Sequence, residues 1–465
     1  MRRFGLARWL AAALLGGAGT FASAQEGTLP SVSAEPTVTP ASSEPRFSGS
    51  ESGGIELSTA WFETGDPTAE SPSGVASVVP APAPASPAPP TFPTVTLTGF
   101  FHADAVWLAQ DTASLATFGD IPDFADFRRA RLAAKGKVAE NFGYMTEFDF
   151  AFPGRPTFMD VWGEFLEVPT LGTIRIGQFR QPLSMDAMTS VKDLTFLERN
   201  SSFAAFLPFR QIGIQAYDTF ADEHGTWAVS GYRVPTNPFG TAVGDKGYGV
   251  STRVTLAPLQ DATCNRVLHV GFGFSYDNPG TGLARFRSTP EIGVTAGDFA
   301  ANPIVIPFFV DTGDLATDGY SIYVAEGAWA NGANLLQSEV YHVQADLTNA
   351  PVANFRGAYV QASRVLTGEY RPYDPKAGAF SRVRLRQDGA GRAIPAWEIA
   401  ARWSYLDLNA ATVSGGRLND LTAGLNCYVN KNAKLQFDWT HAFQDQPGVG
   451  PTDTDIVATR LQVDF

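Results

Sequence analysis

The residues with chemistry to offer are basic and regularly spaced. In FRRARLAAKGKVAENFGYMTEFDF, residues 127–150, Arg129, Arg131, Lys135 and Lys137 take odd positions, with Ala130, Leu132, Ala134, Gly136 and Val138 between them. Past Asn141-Phe142-Gly143 the parity flips. Phe142, Tyr144, Phe148 and Phe150 hold one side, Glu147 and Asp149 the other. A row of guanidinium and ammonium groups attracts anions and replaces part of their hydration. Arginine suits phosphate and carboxylate because its fork binds two oxygens. Further basic residues on polar faces are Arg175, Arg253, Arg402 and Arg460, and the region 181–208 adds Lys192 and Arg199. Acidic residues stand near them: Glu147, Asp149, Asp160, Glu164, Asp186, Asp193 and Glu198. Any one of these charges is equally well read as half of a cross-strand ion pair. The row Arg129, Arg131, Lys135 is less easily read so, because like charges side by side must be offset or used.

Other chemistries have little to stand on. His102, His224, His269, His342 and His441 are scattered without metal spacing. No G-x-S-x-G occurs, and no glycine-rich loop leads into a helix. His269 and Ser275 are close in sequence but sit in no further pattern. No catalytic residue, metal or cofactor is expected, and the chain does not read as an enzyme. Cys264 and Cys427 both fall in strand-like stretches, lack a redox or metal motif, and are expected to be unpaired. The net charge is −13, and residues 95–465 keep 30 of the basic and 39 of the acidic residues. A nucleic-acid binder would show a basic surplus. Bulk charge also gives no support to an anion preference.

The elements that must position these groups are strands. From Val95 onward the chain is a series of dyad-alternating stretches separated by Gly, Asn, Asp and Pro. Their starts lie near 95, 126, 141, 157, 171, 209, 224, 246, 266, 285, 318, 335, 354, 394, 418, 433 and 454; the one near 285 is the weakest, which leaves about sixteen. In VLHVGFGFSYD, Leu268, Val270, Phe272, Phe274 and Tyr276 oppose His269, Gly271, Gly273, Ser275 and Asp277. The apolar side is rich in Phe, Trp and Tyr, and the polar side is Gly, Ser, Thr, Gln and charge. That is the inverted pattern of an outer-membrane barrel, lipid outside and water inside. The fold class expected is therefore all-β: a transmembrane antiparallel β-barrel of about sixteen strands, with an inward-folded loop near 181–208 and an interior without a plug domain. Residues 1–24 read as a signal peptide, with Arg2, Arg3 and Arg8 before an apolar run and Ala22-Ser23-Ala24 at its end. Residues 25–93, rich in Pro, Ser and Ala, read as a disordered linker that could contact the cell wall. Residues 94–465 form the barrel, and Phe465 ends an amphipathic strand in the manner of an outer-membrane sorting signal.

Several stretches resemble the phosphate-selective porin O and P family of outer-membrane porins. They are Phe127 to Leu132, Gly177 to Pro182 with Lys192 to Arg199, Gly357 to Gln361 with Thr367 to Tyr373, Ala396 to Leu408, and Gly424 to Asn426. The resemblance spans about residues 95–465. It implies a homotrimer of sixteen-stranded pores in the outer membrane, an inward third loop, and passive passage of small anions such as phosphate along basic residues. The expected anion-contacting residues are Arg129, Arg131, Lys135, Arg175, Lys192, Arg199, Arg253 and Arg402. The expected partners are outer-membrane lipid and small hydrophilic solutes, with no nucleic acid. Two alternatives stand beside this: a general non-selective diffusion porin, and a structural outer-membrane anchor.

Overall fold

The computed structural model describes residues 91–152, 154–244, 247–293, 306–410 and 412–465. The expected signal peptide, and the linker up to residue 90, lie outside the described residues.

Sixteen long strands are present among the described residues: β1 (Thr96–Gln110), β2 (Phe124–Ala139), β3 (Phe142–Asp149), β4 (Thr157–Val168), β5 (Gly172–Arg180), β6 (Arg210–Phe220), β7 (Gly225–Arg233), β8 (Tyr248–Asp261), β9 (Arg266–Asn278), β10 (Leu315–Asn331), β11 (Asn334–Leu347), β12 (Ala353–Val365), β13 (Ala396–Ala410), β14 (Val413–Tyr428), β15 (Ala433–Gln446) and β16 (Gly450–Asp464). Each pairs antiparallel with its sequence neighbour. Phe100 of β1 is registered with Arg131 of β2 on one side and with Asp464 of β16 on the other, so the sheet closes and has no edge.

The two faces separate a barrel from a sandwich. On β9, Leu268, Val270 and Phe272 are exposed, while His269, Ser275 and Asp277 are fully buried. On β13, Trp397, Ile399 and Trp403 are exposed while Glu398, Arg402 and Ser404 are buried; on β15, Phe437, Trp439 and Phe443 oppose Gln436, Asp438 and Thr440 in the same way. The apolar side faces outward and the polar side faces in, as a lipid-embedded barrel requires.

Two features depart from the sequence reading, and the stretch near 285, its weakest, is not one of them. The alternation near 285 is no barrel strand. Leu283–Ala284 makes a two-residue pairing with Leu315 and Ala316 at the start of β10, and Arg287–Ser288 makes one with Val310 and Asp311 within the connection 279–314, where Phe286 packs among Phe206, Tyr320 and Phe355. Cys264 lies in the turn between β8 and β9 rather than in a strand, and both cysteines are free thiols. The interior is also not empty. On β10 to β14 the inner face is apolar toward one end: Ile322, Val324, Tyr341, Val343, Phe355, Leu406, Leu408 and Leu418 pack against Leu183, Phe206, Phe286 and Phe309 from inward-folded connections. Where these connections cover the wall at that end, the inner face becomes a dry core and the wet-face rule lapses.

The connections fall into two classes. One end carries short turns, as at 140–141, 169–171, 221–224 and 332–333. The other carries the long connections 181–209 and 279–314. Short turns mark the periplasmic end of such barrels. Connection 366–395 breaks this rule: it is long, yet it leaves from the short-turn end.

Candidate functional site: the lumenal passage

The loop 181–209 crosses the lumen, lies mainly against the wall from β11 to β16, and also touches β1 and β2 at Phe100, Arg128 and Arg129. Two short helical turns give it shape. Ser184 caps Met185–Met188 by accepting from the Ala187 N–H, and Asn200 caps Ser201–Phe206 by accepting from the Phe203 N–H. Buried main-chain groups need partners, and the inner wall supplies them. Glu339 accepts from the N–H groups of Met185 and Asp186 at 2.6 and 3.2 Å. Lys434 donates to the Leu194 carbonyl at 2.7 Å, Asn426 to Thr195 at 2.8 Å, Arg460 to Leu197 at 2.5 Å and Arg402 to Glu198 at 3.0 Å. Asp438 accepts from the Leu197 N–H at 2.8 Å. A wall rich in charge here acts as a cradle for backbone.

Glu198 is the hub of this attachment. Arg129 holds it with two bonds of 3.0 and 2.8 Å, and Arg128 and Arg460 reach it at 3.1 and 3.0 Å. Arg128 breaks the strand's alternation, and the register explains how it still points inward. His102 pairs with Arg129 but Ala103 pairs with Phe127, so Arg128 is the extra residue of a β-bulge, and a bulge re-aims its side chain. Burial alone would raise the Glu198 carboxyl, but the guanidinium groups of Arg128, Arg129 and Arg460 outweigh it and hold the group well below the usual carboxylate range.

Because the loop lies on one wall, space remains beside the other. A cavity of about 210 Å³ is lined by Phe100 of β1, Arg131, Ala133 and Lys135 of β2, Met145 and Glu147 of β3, Asp160 of β4, Arg180 and Arg210 at the neck of the loop, and Ser190, Val191 and Lys192 of the loop itself. Five cations therefore face two carboxylates. Arg131 bonds Asp149 at 2.7 Å and approaches Glu147 at 3.6 Å; Arg210 bonds Asp160 at 2.9 Å. Arg180 donates instead to the carbonyls of Ala187, Met188 and Thr189 at 3.0–3.2 Å. Lys135 and Lys192 have no carboxylate partner among the described residues, and Lys192 lies 5.9 Å from the Phe100 ring. The arrangement can hold a hydrated anion between neutral-to-positive surfaces, although the whole chain is acidic.

The structure thus sorts the eight expected residues. Arg131, Lys135 and Lys192 come together on the cavity. Arg129 stands behind it, bound to Glu198. Arg199 is buried within the loop, donating to the carbonyls of Asp186 at 2.8 Å and Thr189 at 2.6 Å between the rings of Phe203 and Phe209. Arg402 is bound to Glu291 of connection 279–314. Arg253 pairs with Glu326 at 2.7 Å and donates to the carbonyls of Ala377 and Gly378. Gly378 has φ +57°, and a Cβ there would come within 2.9 Å of Thr255, so a glycine allows this close approach. Arg175 pairs with Glu164 at 2.8 Å, away from the cavity. Arg180 and Arg210 escaped the sequence reading. Their signal was position: they are the last residue of β5 and the first of β6, where an inward loop must start and end.

Comparison with known proteins agrees with this architecture. The model of the family described as phosphate-selective porin O and P matches residues 95–465. Porin O of Pseudomonas aeruginosa is 27% identical over 386 residues, covering 75% of this chain and 83% of that protein. An uncharacterized protein of Caulobacter vibrioides is 26% identical over 363 residues, covering 73% of this chain and 68% of its own. Among solved structures, an anion-selective porin from Comamonas acidovorans shares the fold with TM-score 0.50 at 12% identity, over 80% of this chain and 99% of that one. The closed sixteen-stranded barrel and the match across its whole length lead to one conclusion: the chain belongs to the phosphate-selective porin O and P family and is an outer-membrane porin.

Proposed function

We propose that the barrel passes small anions by diffusion between the β1–β4 wall and the inward loop, with Arg131, Lys135, Arg180, Lys192 and Arg210 as the contacting residues and no chemical step. The observation that carries this reading is the local charge of the cavity: five cations against two carboxylates. Arginine forks at positions 131, 180 and 210 favour phosphate and carboxylate over chloride. Arg129, Arg175, Arg199, Arg253 and Arg402 act here as anchors that shape the passage. Residues 1–24 serve as an export signal and 25–93 as a periplasmic linker able to reach the cell wall, and three barrels assemble as a homotrimer.

A second reading is favoured by the pairs Arg131–Asp149 and Arg210–Asp160. If these neutralise the arginines fully, the passage is a general diffusion pore. Reversal potential in a KCl gradient across a planar bilayer, followed by phosphate addition, separates the two. Chloride preference with phosphate block supports the anion passage; weak selectivity without block supports the general pore. Absence of conductance overturns both and leaves a structural anchor.

A further inference from the structure

The connection 366–395 enters the lumen from the short-turn end and meets the loop 181–209 inside the barrel. Arg371 is one of its buried charges. It binds Glu398 with two bonds of 2.8 Å, donates to the Tyr428 hydroxyl at 2.6 Å, and places its remaining nitrogen on the Asp193 carbonyl at 2.6 Å. Arg382 binds Asp464 at 2.7 Å and the Lys431 carbonyl at 2.7 Å, and reaches the Lys192 carbonyl at 3.5 Å and the Asp193 carboxylate at 4.0 Å. The Lys192 carbonyl also accepts from Gln462 of the wall at 3.1 Å. Four successive loop carbonyls, 192 to 195, are thus each held. Residues 194 and 195 are held by the rigid wall alone. Residue 193 is held by the periplasmic connection, and residue 192 by that connection and the wall together.

Lys192 is the one residue of this stretch whose charged end lines the passage without a carboxylate partner among the described residues. We infer that Arg371 and Arg382 are positioning residues that set Lys192 in the passage, so that its anion preference is controlled from the periplasmic side of the barrel. This rests on the reading of the cavity as an anion passage. The physical reason is leverage. A lysine side chain is flexible, so where its ammonium stays depends on how firmly its backbone is fixed. Here part of that fixing comes from a connection, and connections are the more mobile parts of a fold. The pair Arg371–Glu398 gives the connection a buried foothold on β13, and Arg382–Asp464 gives it a second on the final strand.

The test is the chloride-to-potassium permeability ratio in planar bilayers. The variants are Arg382→Gln and the paired change Arg371→Gln with Glu398→Gln, which removes the ion pair without leaving a lone charge. Each is measured in the native background and combined with Lys192→Gln. Arg382→Lys, which keeps the bond to Asp464, serves if the glutamine variant fails to insert. The expected result is a severalfold fall in the ratio and increased open-channel noise, with no further fall once Lys192 is glutamine. A ratio unchanged by the arginine variants, or effects that simply add to that of Lys192→Gln, would overturn the inference while leaving the anion passage standing. A native channel without anion preference would overturn the passage and this inference together.

Discussion

Arg180 and Arg210 face each other in register at the neck of the inward loop, two guanidinium groups on directly opposed positions of β5 and β6. Like charges so placed repel, and each is answered by a different partner. Asp160 answers Arg210, while three loop carbonyls answer Arg180. The neck is therefore positive toward the cavity and also ties the first turn of the loop to the strand. Arg180→Gln should lower anion preference and loosen residues 187–189. Arg210→Gln should lower preference more, because it also leaves Asp160 unpaired. Permeability ratios for the two variants, measured under one salt gradient, give the order.

The two lysines of the passage should respond most simply. Lys135 and Lys192 have no carboxylate to release, so Lys135→Glu and Lys192→Glu each add negative charge without freeing another. Each should move the reversal potential toward cation preference, and the double variant should move it further. A potential unmoved by both would place the ion path elsewhere in the lumen.

Glu198 gathers three guanidinium groups in a buried setting. Glu198→Gln leaves them without their common anion, which costs about 3–5 kcal/mol where a buried pair loses one member. The barrel ladder does not depend on this contact, so closure should persist while the loop loosens. Thermal unfolding in detergent should shift downward, and open-channel noise should rise.

The same clasp predicts a pH response. The Glu198 carboxyl titrates below its ordinary value because nearby cations outweigh its burial. A depressed carboxyl contributes stability that is complete above the unfolded value of about 4.3 and is lost only as pH falls through the lower folded value. Channel noise from loop motion should therefore stay flat from neutral pH down to the ordinary carboxylate range and rise only in stronger acid. An increase already present at mildly acidic pH would mean that another group fastens the loop.

The outward face is testable by a single charge. Leu421 lies midway along β14 and is exposed beside Trp403. Leu421→Arg should cost about 2–4 kcal/mol near the bilayer midplane, read as reduced folding yield into lipid vesicles with unchanged selectivity.

Alternation determined most of the architecture. The parity of Leu268 to Tyr276, of Trp397 to Trp403 and of Leu435 to Phe443 states which side is greasy, and about sixteen such stretches with an aromatic-rich greasy side point to a lipid-facing barrel, which the exposure of that side then separates from a sandwich. Strand period is exactly two and one face must be dry, so a local pattern suffices. The sequence also marked Arg131, Lys135 and Lys192. It could not say that Arg129, Arg253 and Arg402 hold inward connections rather than line the cavity beside β1 to β4. A wet-face arginine looks the same whether it meets solvent or a carbonyl from a connection far along the chain. That choice depends on which wall the loop lies against, and Glu198, Glu291 and Gly378 arrive at it only through tertiary folding. The filled interior escaped for the same reason. Ile322, Val324, Phe355 and Leu418 break the polar inner face, yet only the packed loop shows what covers them. Long-range placement of connections, which no periodicity records, decided where the cavity beside β1 to β4 lies.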